Sequence, residues 1–249
     1  MNSVVHVARR DGILIAEIDR PDRRNALNAA VAHELTDALA ALDSDDDLLV
    51  GVLTGAGGFF SSGLDLKEFG RDGSEATNSL RELLRRGSRK PIIAAVEGFA
   101  LAGGFELCMM CDLIVAARGA RFGLPEVKRA LVANGGGLLR LPSRIPYSAA
   151  AEIALTGGEM TAERLYELGL INHLVSPGAA FDQGMLLAGE ISQCAPLALV
   201  ATKQILSLSD SVDGWSHQDS IADPVFQSSD AQEGARAFIE KRPPRWAAR

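Results

Sequence analysis

The fold of this chain is decided by its most apolar stretch, residues 91–117, with the sequence PIIAAVEGFALAGGFELCMMCDLIVAA. Residues 92–96 and 113–116 are continuous aliphatic runs of strand length, and residues 105–111 between them have the character of a helix. Continuous aliphatic strands are typical of a parallel sheet that is covered on both faces. Three acidic residues interrupt the stretch: Glu97, Glu106 and Asp112. Because each charge is costly inside a bilayer, the stretch is predicted to be buried core, and no membrane span is expected.

The same alternation continues toward the N-terminus. Residues 13–18 and 48–54 are predicted strands, and the apolar side chains of residues 31–42 recur at helical spacing. A further helix is predicted around residues 78–86. Strands that alternate with helices indicate right-handed crossovers, so the sequence predicts the α/β class.

The C-terminal third is predicted to be mainly helical. Only residues 171–175 have the character of a strand there. Apolar side chains at helical spacing predict helices at residues 149–155, 161–168, 181–194, 197–208 and 231–241.

The composition excludes several classes of protein. Of the 249 residues, 47% are hydrophobic and 23% are charged, which is globular and neither disordered nor collagen-like. The net charge of −7 lacks the basic footprint of a nucleic-acid binder, so no nucleic-acid partner is expected. Three cysteines are too few for a disulfide framework, and residues 1–10 contain no apolar signal region, so a cytoplasmic location is expected.

Three familiar motifs are absent or incomplete. The segment Gly55-Ala56-Gly57-Gly58-Phe59-Phe60 follows a strand, but Phe60 stands where a dinucleotide-binding turn has glycine or alanine. The segment Cys108-Met109-Met110-Cys111 has no second pair of ligands, so core packing is favoured over zinc or redox chemistry, and no metal site is expected. The chain also has no G-x-S-x-G motif to supply the nucleophile of an α/β-hydrolase.

Two glycine-bearing segments provide candidate donors for an anion. Gly103 and Gly104 open a helix, whose first backbone N–H groups lack partners within the helix. The helix dipole also favours an anion at this end. The N–H of Leu64, in the segment Phe60-Ser61-Ser62-Gly63-Leu64-Asp65-Leu66, is a second candidate donor. Cations cluster in Arg20-Pro21-Asp22-Arg23-Arg24, which is either a solvated loop or a contact for an anionic ligand.

Two acidic residues accompany these donors. Glu106 lies in the first turn of the helix that Gly103 opens, and Glu126 follows the rigid Pro125. Each has a structural alternative, since the dipole alone favours an acid at a helix start and an acid on a turn commonly faces solvent.

In these segments the chain resembles the crotonase superfamily, also called the enoyl-CoA hydratase/isomerase family, and the resemblance extends over about residues 13–245. The motifs that carry it are Arg24-Asn25-Ala26-Leu27-Asn28, Phe60-Ser61-Ser62-Gly63-Leu64-Asp65-Leu66-Lys67, Ala102-Gly103-Gly104-Phe105-Glu106-Leu107, Phe122-Gly123-Leu124-Pro125-Glu126 and Gly234-Ala235-Arg236-Ala237-Phe238-Ile239-Glu240-Lys241-Arg242. The resemblance implies a repeated ββα spiral core over residues 1–195 and a helical C-terminal oligomerisation region over residues 196–249. It also implies homotrimers that often pair into hexamers. The implied ligand is an acyl-CoA thioester, with coenzyme A entering as part of the substrate and no separate cofactor.

The resemblance also implies roles for individual residues. It assigns an oxyanion hole to the N–H groups of Leu64 and Gly103, and catalysis to Glu106 and Glu126. The residues that it places against the substrate or its CoA are Arg23, Arg24, Ala26, Ser62, Asp65, Leu66, Lys67, Phe238 and Lys241, the last two acting from a neighbouring subunit. Asn134 and Gly135 are expected to position water, although Asn134 stands where the family often has glycine.

The presence of both glutamates favours hydration of a trans-2-enoyl-CoA to a 3-hydroxyacyl-CoA, in fatty-acid or related acyl-CoA breakdown. That reaction needs one carboxylate to activate water and one carboxylic acid to protonate Cα, and the sequence leaves open which glutamate does which. Alternatives within the family are an enoyl-CoA isomerase, a thioesterase and a carnitinyl-CoA-type dehydratase, whose motif around Phe105 is similar. A non-catalytic acyl-CoA-binding subunit on the same fold is the alternative from another class.

Overall fold

The computed structural model describes residues 3–194, 196–206, 223, 227–242 and 245. The strands are β1 (Val5–Arg10), β2 (Ile13–Ile18), β3 (Val50–Gly55), β4 (Ile92–Val96), β5 (Phe99–Leu101), β6 (Leu113–Ala117), β7 (Arg121–Gly123), β8 (Glu159–Thr161) and β9 (His173–Val175). The helices are α1 (Ala29–Ser44), α2 (Leu66–Arg86), α3 (Gly103–Met110), α4 (Gly137–Arg144), α5 (Tyr147–Thr156), α6 (Ala162–Glu167), α7 (Ala180–Ile191), α8 (Pro196–Leu206) and α9 (Ser229–Glu240). Single 3₁₀ turns cover Pro21–Arg23 and Pro125–Arg129.

The aliphatic strands form one six-stranded sheet in the order β1-β2-β3-β4-β6-β9. Strands β1 and β2 pair as an antiparallel hairpin, and every other neighbouring pair is parallel. The strands predicted from the apolar runs are confirmed within two residues at each end. The predicted α/β class with a parallel sheet is therefore confirmed.

Both faces of this sheet are covered, as the continuous aliphatic runs predict. Along β4, Ile92, Ala94 and Val96 join one core cluster, while Ile93 and Ala95 join a second cluster on the opposite face. The first cluster includes side chains of α1 and α3, and the second is closed by α7. Alternate residues of a strand point to opposite faces, so an all-aliphatic strand can fill both clusters.

A second sheet of three short strands, in the order β5-β7-β8, positions the candidate site. Strands β5 and β7 are parallel, and their C-terminal ends lie side by side because Leu101 pairs with Gly123. Strand β5 leads into α3 and β7 leads into the Pro125–Arg129 turn. Parallel strands end at the same edge of a sheet, so Glu106 on α3 and Glu126 on the turn are brought together there.

The sequence pattern did not predict four of the described strands: β1, β5, β7 and β8. It left out β1, whose side chains are mostly exposed and carry no apolar pattern. It also placed only one strand after residue 145, whereas β8 forms a second one by pairing antiparallel with β7. A strand of three residues is too short to show a period, so only its partner reveals it.

The C-terminal helix α9 packs on α2 and on the Pro125–Arg129 turn. The predicted division into residues 1–195 and 196–249 stays a prediction, and part of the predicted 197–208 helix lies outside the described residues. In the described ranges, no single helix is long and apolar enough to span a membrane. One helix pair, Ala180–Ile191 with Pro196–Gln204, meets the length and composition requirement jointly but is bent by 108°.

Candidate active site

A cavity of about 400 Å³ lies where the second sheet, α2 and the α3 N-terminus meet. It brings together all four residues that the resemblance assigns to the reaction: Leu64, Gly103, Glu106 and Glu126. The apolar part of the cavity wall includes Leu80, Leu84 and Leu131. The sequence-predicted residues are therefore neighbours in space, although they come from four separate segments of the chain.

The backbone N–H groups of Leu64 and Gly103 are available as donors. The Leu27 N–H donates to the Gly63 carbonyl at 2.8 Å and the Asp65 N–H donates to the Leu27 carbonyl at 2.9 Å, so Leu64 between them turns its own N–H away from this bridge. Gly103 is the first residue of α3, where no carbonyl of the same helix can accept. Within the described residues neither group has an acceptor.

The two donor segments lie closely together, and Gly63 makes this possible. Its φ of +87° favours glycine, and a Cβ placed there would lie 2.5 Å from the Ala102 Cβ and 3.0 Å from the Gly103 nitrogen. A Cβ at Gly103 would in turn lie 3.8 Å from the Leu64 nitrogen. The two N–H groups therefore border the same small space, as a pair of donors to one oxyanion requires.

Glu106 is buried, and backbone groups hold its carboxyl. Its Oε1 accepts a hydrogen bond from the Gly137 N–H at 2.9 Å, and the Gly135 backbone donates a second bond to the carboxyl. Burial raises the pKa of Glu106 to about 7, while these two bonds and the charge of Arg140 act in the opposite direction. The residue is therefore more than a helix-start acid, since its side chain is fixed inside the cavity wall.

Glu126 enters the same cavity from the turn after β7. Its Oε2 is buried, and no described residue donates to that atom. Burial raises the pKa of Glu126 to about 8, and the neighbouring Glu106 charge adds to the rise. The alternative of a solvent-exposed turn residue is therefore wrong, because the turn directs this carboxyl inward.

Two neighbouring buried carboxyls with raised pKa values can share one proton near neutral pH. One is then a carboxylate that can accept a proton, and the other is a carboxylic acid that can donate one. The pair lies beside two backbone donors suited to negative charge on oxygen. The arrangement can therefore both transfer protons and stabilise an oxyanion.

The loop before α1 places cations at the mouth of the cavity. Arg23 and Arg24 are exposed and line it together with Ala26. Asn25 has no exposed surface and holds the loop, since its side chain donates to the Ala56 and Phe59 carbonyls at 2.9 and 3.0 Å. The cationic stretch is thus a fixed part of the cavity mouth.

Some residues around the start of α2 line the cavity, and others hold the structure of its mouth. Ser62, Leu66 and Lys67 line the cavity. Asp65 also lines it, but its carboxylate is engaged with Arg20 at 3.1 Å and caps α2 by accepting from the Lys67 N–H at 3.2 Å. Arg20 donates to the Ala26 carbonyl as well, so it ties the loop to α2. We interpret Asp65 as support for the mouth, because its charge already has a partner.

The predicted water-positioning residues lie at the inner end. Asn134 and Gly135 are buried and line the cavity. The Gly135 backbone donates to Glu106, so its first role in this structure is to hold that carboxyl.

Of the two predicted CoA-binding residues near the C-terminus, Phe238 and Lys241, only Phe238 lines the cavity. Phe238 lines the cavity of its own chain, where the Arg129 guanidinium lies 5.4 Å from the ring centroid. Lys241, the residue directly after α9, is exposed and does not line the described cavity.

Sequence reasoning missed Arg140, Leu80 and Leu84. Leu80 and Leu84 are four residues apart on the predicted α2 helix, a spacing that could have indicated an inward face. Arg140 gave no such signal, because its partners are distant backbone carbonyls. Among the described residues no cluster of three His, Cys, Asp or Glu side chains could hold a metal ion.

Comparisons with known proteins identify the family of this chain. Residues 8–249 match the family model described as enoyl-CoA hydratase/isomerase. The chain is 39% identical to enoyl-CoA hydratase EchA19 of Mycobacterium tuberculosis, over 96% of this chain and 94% of that protein. It is 35% identical to carnitinyl-CoA dehydratase of Proteus mirabilis, over 100% of both chains.

The solved structures agree as well. A crystal structure of an enoyl-CoA hydratase from Mycobacterium tuberculosis H37Rv is 52% identical, covers 100% of both chains and superposes with a TM-score of 0.79. The resemblance seen in the sequence motifs is confirmed, and so is the crotonase-type fold. The chain belongs to the enoyl-CoA hydratase/isomerase family, the crotonase superfamily.

Proposed function

We propose that this protein is an enoyl-CoA hydratase, which adds water reversibly to a trans-2-enoyl-CoA thioester and gives a 3-hydroxyacyl-CoA. The observation that carries the proposal is the pair Glu106 and Glu126, two carboxyls with raised pKa values beside two available N–H donors. A binding subunit without activity would have no need to bury two acids next to each other, because buried carboxyls without full partners are costly.

In the proposed reaction, the thioester carbonyl oxygen accepts hydrogen bonds from the Leu64 and Gly103 N–H groups. As the hydroxyl group adds to Cβ, electron density moves through Cα to the thioester oxygen, and the two donors stabilise the resulting enolate. Removing one donor of this kind typically slows a reaction by about 10²–10³. The α3 dipole acts in the same direction, because α3 begins at Gly103.

The glutamate pair completes the proton balance. The ionised carboxyl accepts a proton from the attacking water, and the protonated carboxyl donates one to Cα. The pair as a whole thus holds one proton before and after the reaction. Asn134, at the same end of the cavity, is proposed to position the water together with the carboxyls.

The anionic end of the substrate is proposed to meet Arg23, Arg24 and Lys67 at the mouth. The protein is acidic overall, with a net charge of −7, so these cations reverse the sign of the charge locally. Coenzyme A enters as part of the substrate, and the reaction as proposed needs no separate cofactor. We further propose a homotrimer or a dimer of trimers and a cytoplasmic location, where the free thiols Cys108, Cys111 and Cys194 remain reduced.

A carnitinyl-CoA-type dehydratase is the second candidate. It is favoured by the Gly104-Phe105-Glu106 sequence and by the 35% identity to a protein of that name. The same donors and acids would serve it, since dehydration is the hydration step run in reverse.

The test is an assay of purified protein with trans-2-enoyl-CoA thioesters of graded chain length. Hydration removes the conjugated double bond, so the absorbance of the conjugated thioester should fall. Parallel assays for double-bond migration, thiol release and dehydration of carnitinyl-CoA separate the alternatives. No hydration of any enoyl-CoA, from a folded protein, would refute the proposal.

A further inference from the structure

Glu106 can act on a substrate only if its carboxyl is held in place from behind the cavity. The backbone of Gly135, in the loop after the Pro125–Arg129 turn, and that of Gly137, the first residue of α4, donate to the carboxyl. The fit is tight: a Cβ at Gly135 would lie 2.7 Å from the Glu106 Oε2 and 2.2 Å from the Leu84 Cδ1. Any movement of this loop therefore moves the donors of Glu106.

The loop is in turn fastened by Arg140 on α4. The buried Arg140 guanidinium donates to the Gly135 carbonyl at 3.4 Å and to the Leu84 carbonyl of α2 at 3.0 Å. Its two nitrogens thus connect the loop to the helix that forms the apolar wall of the cavity. Arg140 does not itself line the cavity in the described part of the chain.

We propose that Arg140 is a positioning residue of the reaction, which fastens the Gly135 segment to α2 and so fixes the backbone donors that hold Glu106. The inference rests on the proposed function for its kinetic consequences, whereas its structural consequence can be measured without substrate. Arginine suits this task because its planar fork reaches two carbonyls at once, which a lysine ammonium does not do in the same geometry.

Arg140 also has an electrostatic effect on Glu106. The charge that acts on this carboxyl is Arg140, from α4, and the carboxyl in turn raises the pKa of the neighbouring Glu126, from the turn after β7. Cys108 on α3 and Cys111 directly after it are buried with raised pKa values and so are uncharged near neutral pH. Because the positive charge of Arg140 favours the carboxylate, its loss should raise the pKa of Glu106 further.

Two variants separate the fastening from the charge. Arg140→Gln removes the charge and the fork, while Arg140→Lys keeps the charge and loses the fork. The matched control is Arg144→Gln, since Arg144 lies on the same helix and donates to the Cys111 carbonyl at 3.1 Å, away from the carboxyls.

The first readout is the titration of Glu106 in full-length protein carrying ¹³C-labelled glutamate carboxyls, assigned with Glu106→Gln and followed by NMR. In Arg140→Gln the Glu106 midpoint should rise by about one pH unit, within the range for loss of a close opposite charge. In Arg140→Lys it should rise less than in Arg140→Gln, because the charge is kept while the backbone donors that lower the Glu106 pKa are loosened. In Arg144→Gln it should stay at the wild-type value. An unchanged midpoint in folded Arg140→Gln would overturn the electrostatic part of the proposal.

The second readout is the kinetics of enoyl-CoA hydration. Both Arg140 variants should lose about tenfold or more in kcat from misplacement of Glu106, with little change in KM, while Arg144→Gln keeps wild-type values. Thermal unfolding of each variant reports whether it is folded. If Arg140→Gln does not fold, Arg140→Lys decides alone, and a wild-type kcat there would overturn the fastening role. If the wild-type protein hydrates no enoyl-CoA, the proposed function fails, but the titration still tests the proposal about Arg140.

Discussion

Replacement of Gly63 by alanine should disable the oxyanion hole without touching a reacting side chain. An alanine Cβ at this position would lie 2.5 Å from the Ala102 Cβ and 2.7 Å from the Leu101 carbonyl oxygen. Ordinary carbon–carbon contact needs about 3.5 Å, so the two donor segments must separate by about 1 Å. The Leu64 and Gly103 N–H groups would then no longer border one oxygen atom.

The expected loss follows from two independent magnitudes. A misplacement of about 1 Å in a catalytic arrangement can cost about 10²-fold in rate. Loss of one oxyanion donor costs about 10²–10³, which corresponds to about 2.7–4 kcal/mol of transition-state stabilisation. We therefore expect kcat of Gly63→Ala to fall by about two to three orders of magnitude, with a much smaller change in KM.

The control is Gly58→Ala. Gly58 also has a positive φ, +80°, but a Cβ there would meet nothing within 4 Å. Both variants bear the same strain of alanine in the left-handed region, about 1–3 kcal/mol, so only the contact with the α3 segment differs. Both should be compared by initial hydration rates and by thermal unfolding. A folded Gly63→Ala protein with wild-type kcat would refute the account of the hole, as would equal losses in both variants.

Three further sets of substitutions test the acids, the cationic mouth and the C-terminal helix. Glu106→Gln and Glu126→Gln should each lower kcat by about 10²–10⁴, and the double variant should lose little more than the worse single one, so additive losses in hydration assays would contradict a shared step. Arg24→Ala should raise KM for CoA thioesters roughly two- to fivefold, as for an exposed ion pair, and leave kcat unchanged. An equal loss with a pantetheine thioester, which lacks the nucleotide phosphates, would instead assign Arg24 to loop structure. Gly234→Ala places a Cβ 2.1 Å from the Arg129 carbonyl oxygen, so it should detach α9 and raise KM, whereas Gly189→Ala on α7 meets nothing within 4 Å. Hydrogen exchange of α9 should rise in the first variant alone, and unchanged exchange would contradict the docking.

The sequence predicts the large sheet well, because aliphatic runs such as residues 92–96 show directly that both faces of a strand are buried. It predicts the small sheet poorly, since β5, β7 and β8 have three residues each and are defined only by their pairing. That sheet is nevertheless what brings Glu106 and Glu126 together.

In the candidate site as well, some residues are predicted from a local sequence signal and others depend on tertiary contacts. Gly103 and Glu106 are evident because a glycine pair opening an apolar helix is a local signal. The burial of Glu126 is not local, since it depends on α5 and α9, which pack against its turn. Arg140 and the ion pair of Asp65 with Arg20 are likewise products of tertiary contact, and only the folded chain shows them.

The proposed reaction requires that Glu106 and Glu126 share one proton when the enzyme is active. Burial raises their pKa values to about 7 and about 8, so below this range both carboxyls are protonated and no base remains. Above this range both are ionised and no acid remains. The most direct measurement is the pH dependence of kcat/KM for hydration of a trans-2-enoyl-CoA from pH 5 to pH 10, on the wild type and on both single Gln variants. We predict a bell with limbs near these two values, which neither variant retains. A flat profile, or limbs near the usual glutamate pKa of about 4.3, would contradict the claim.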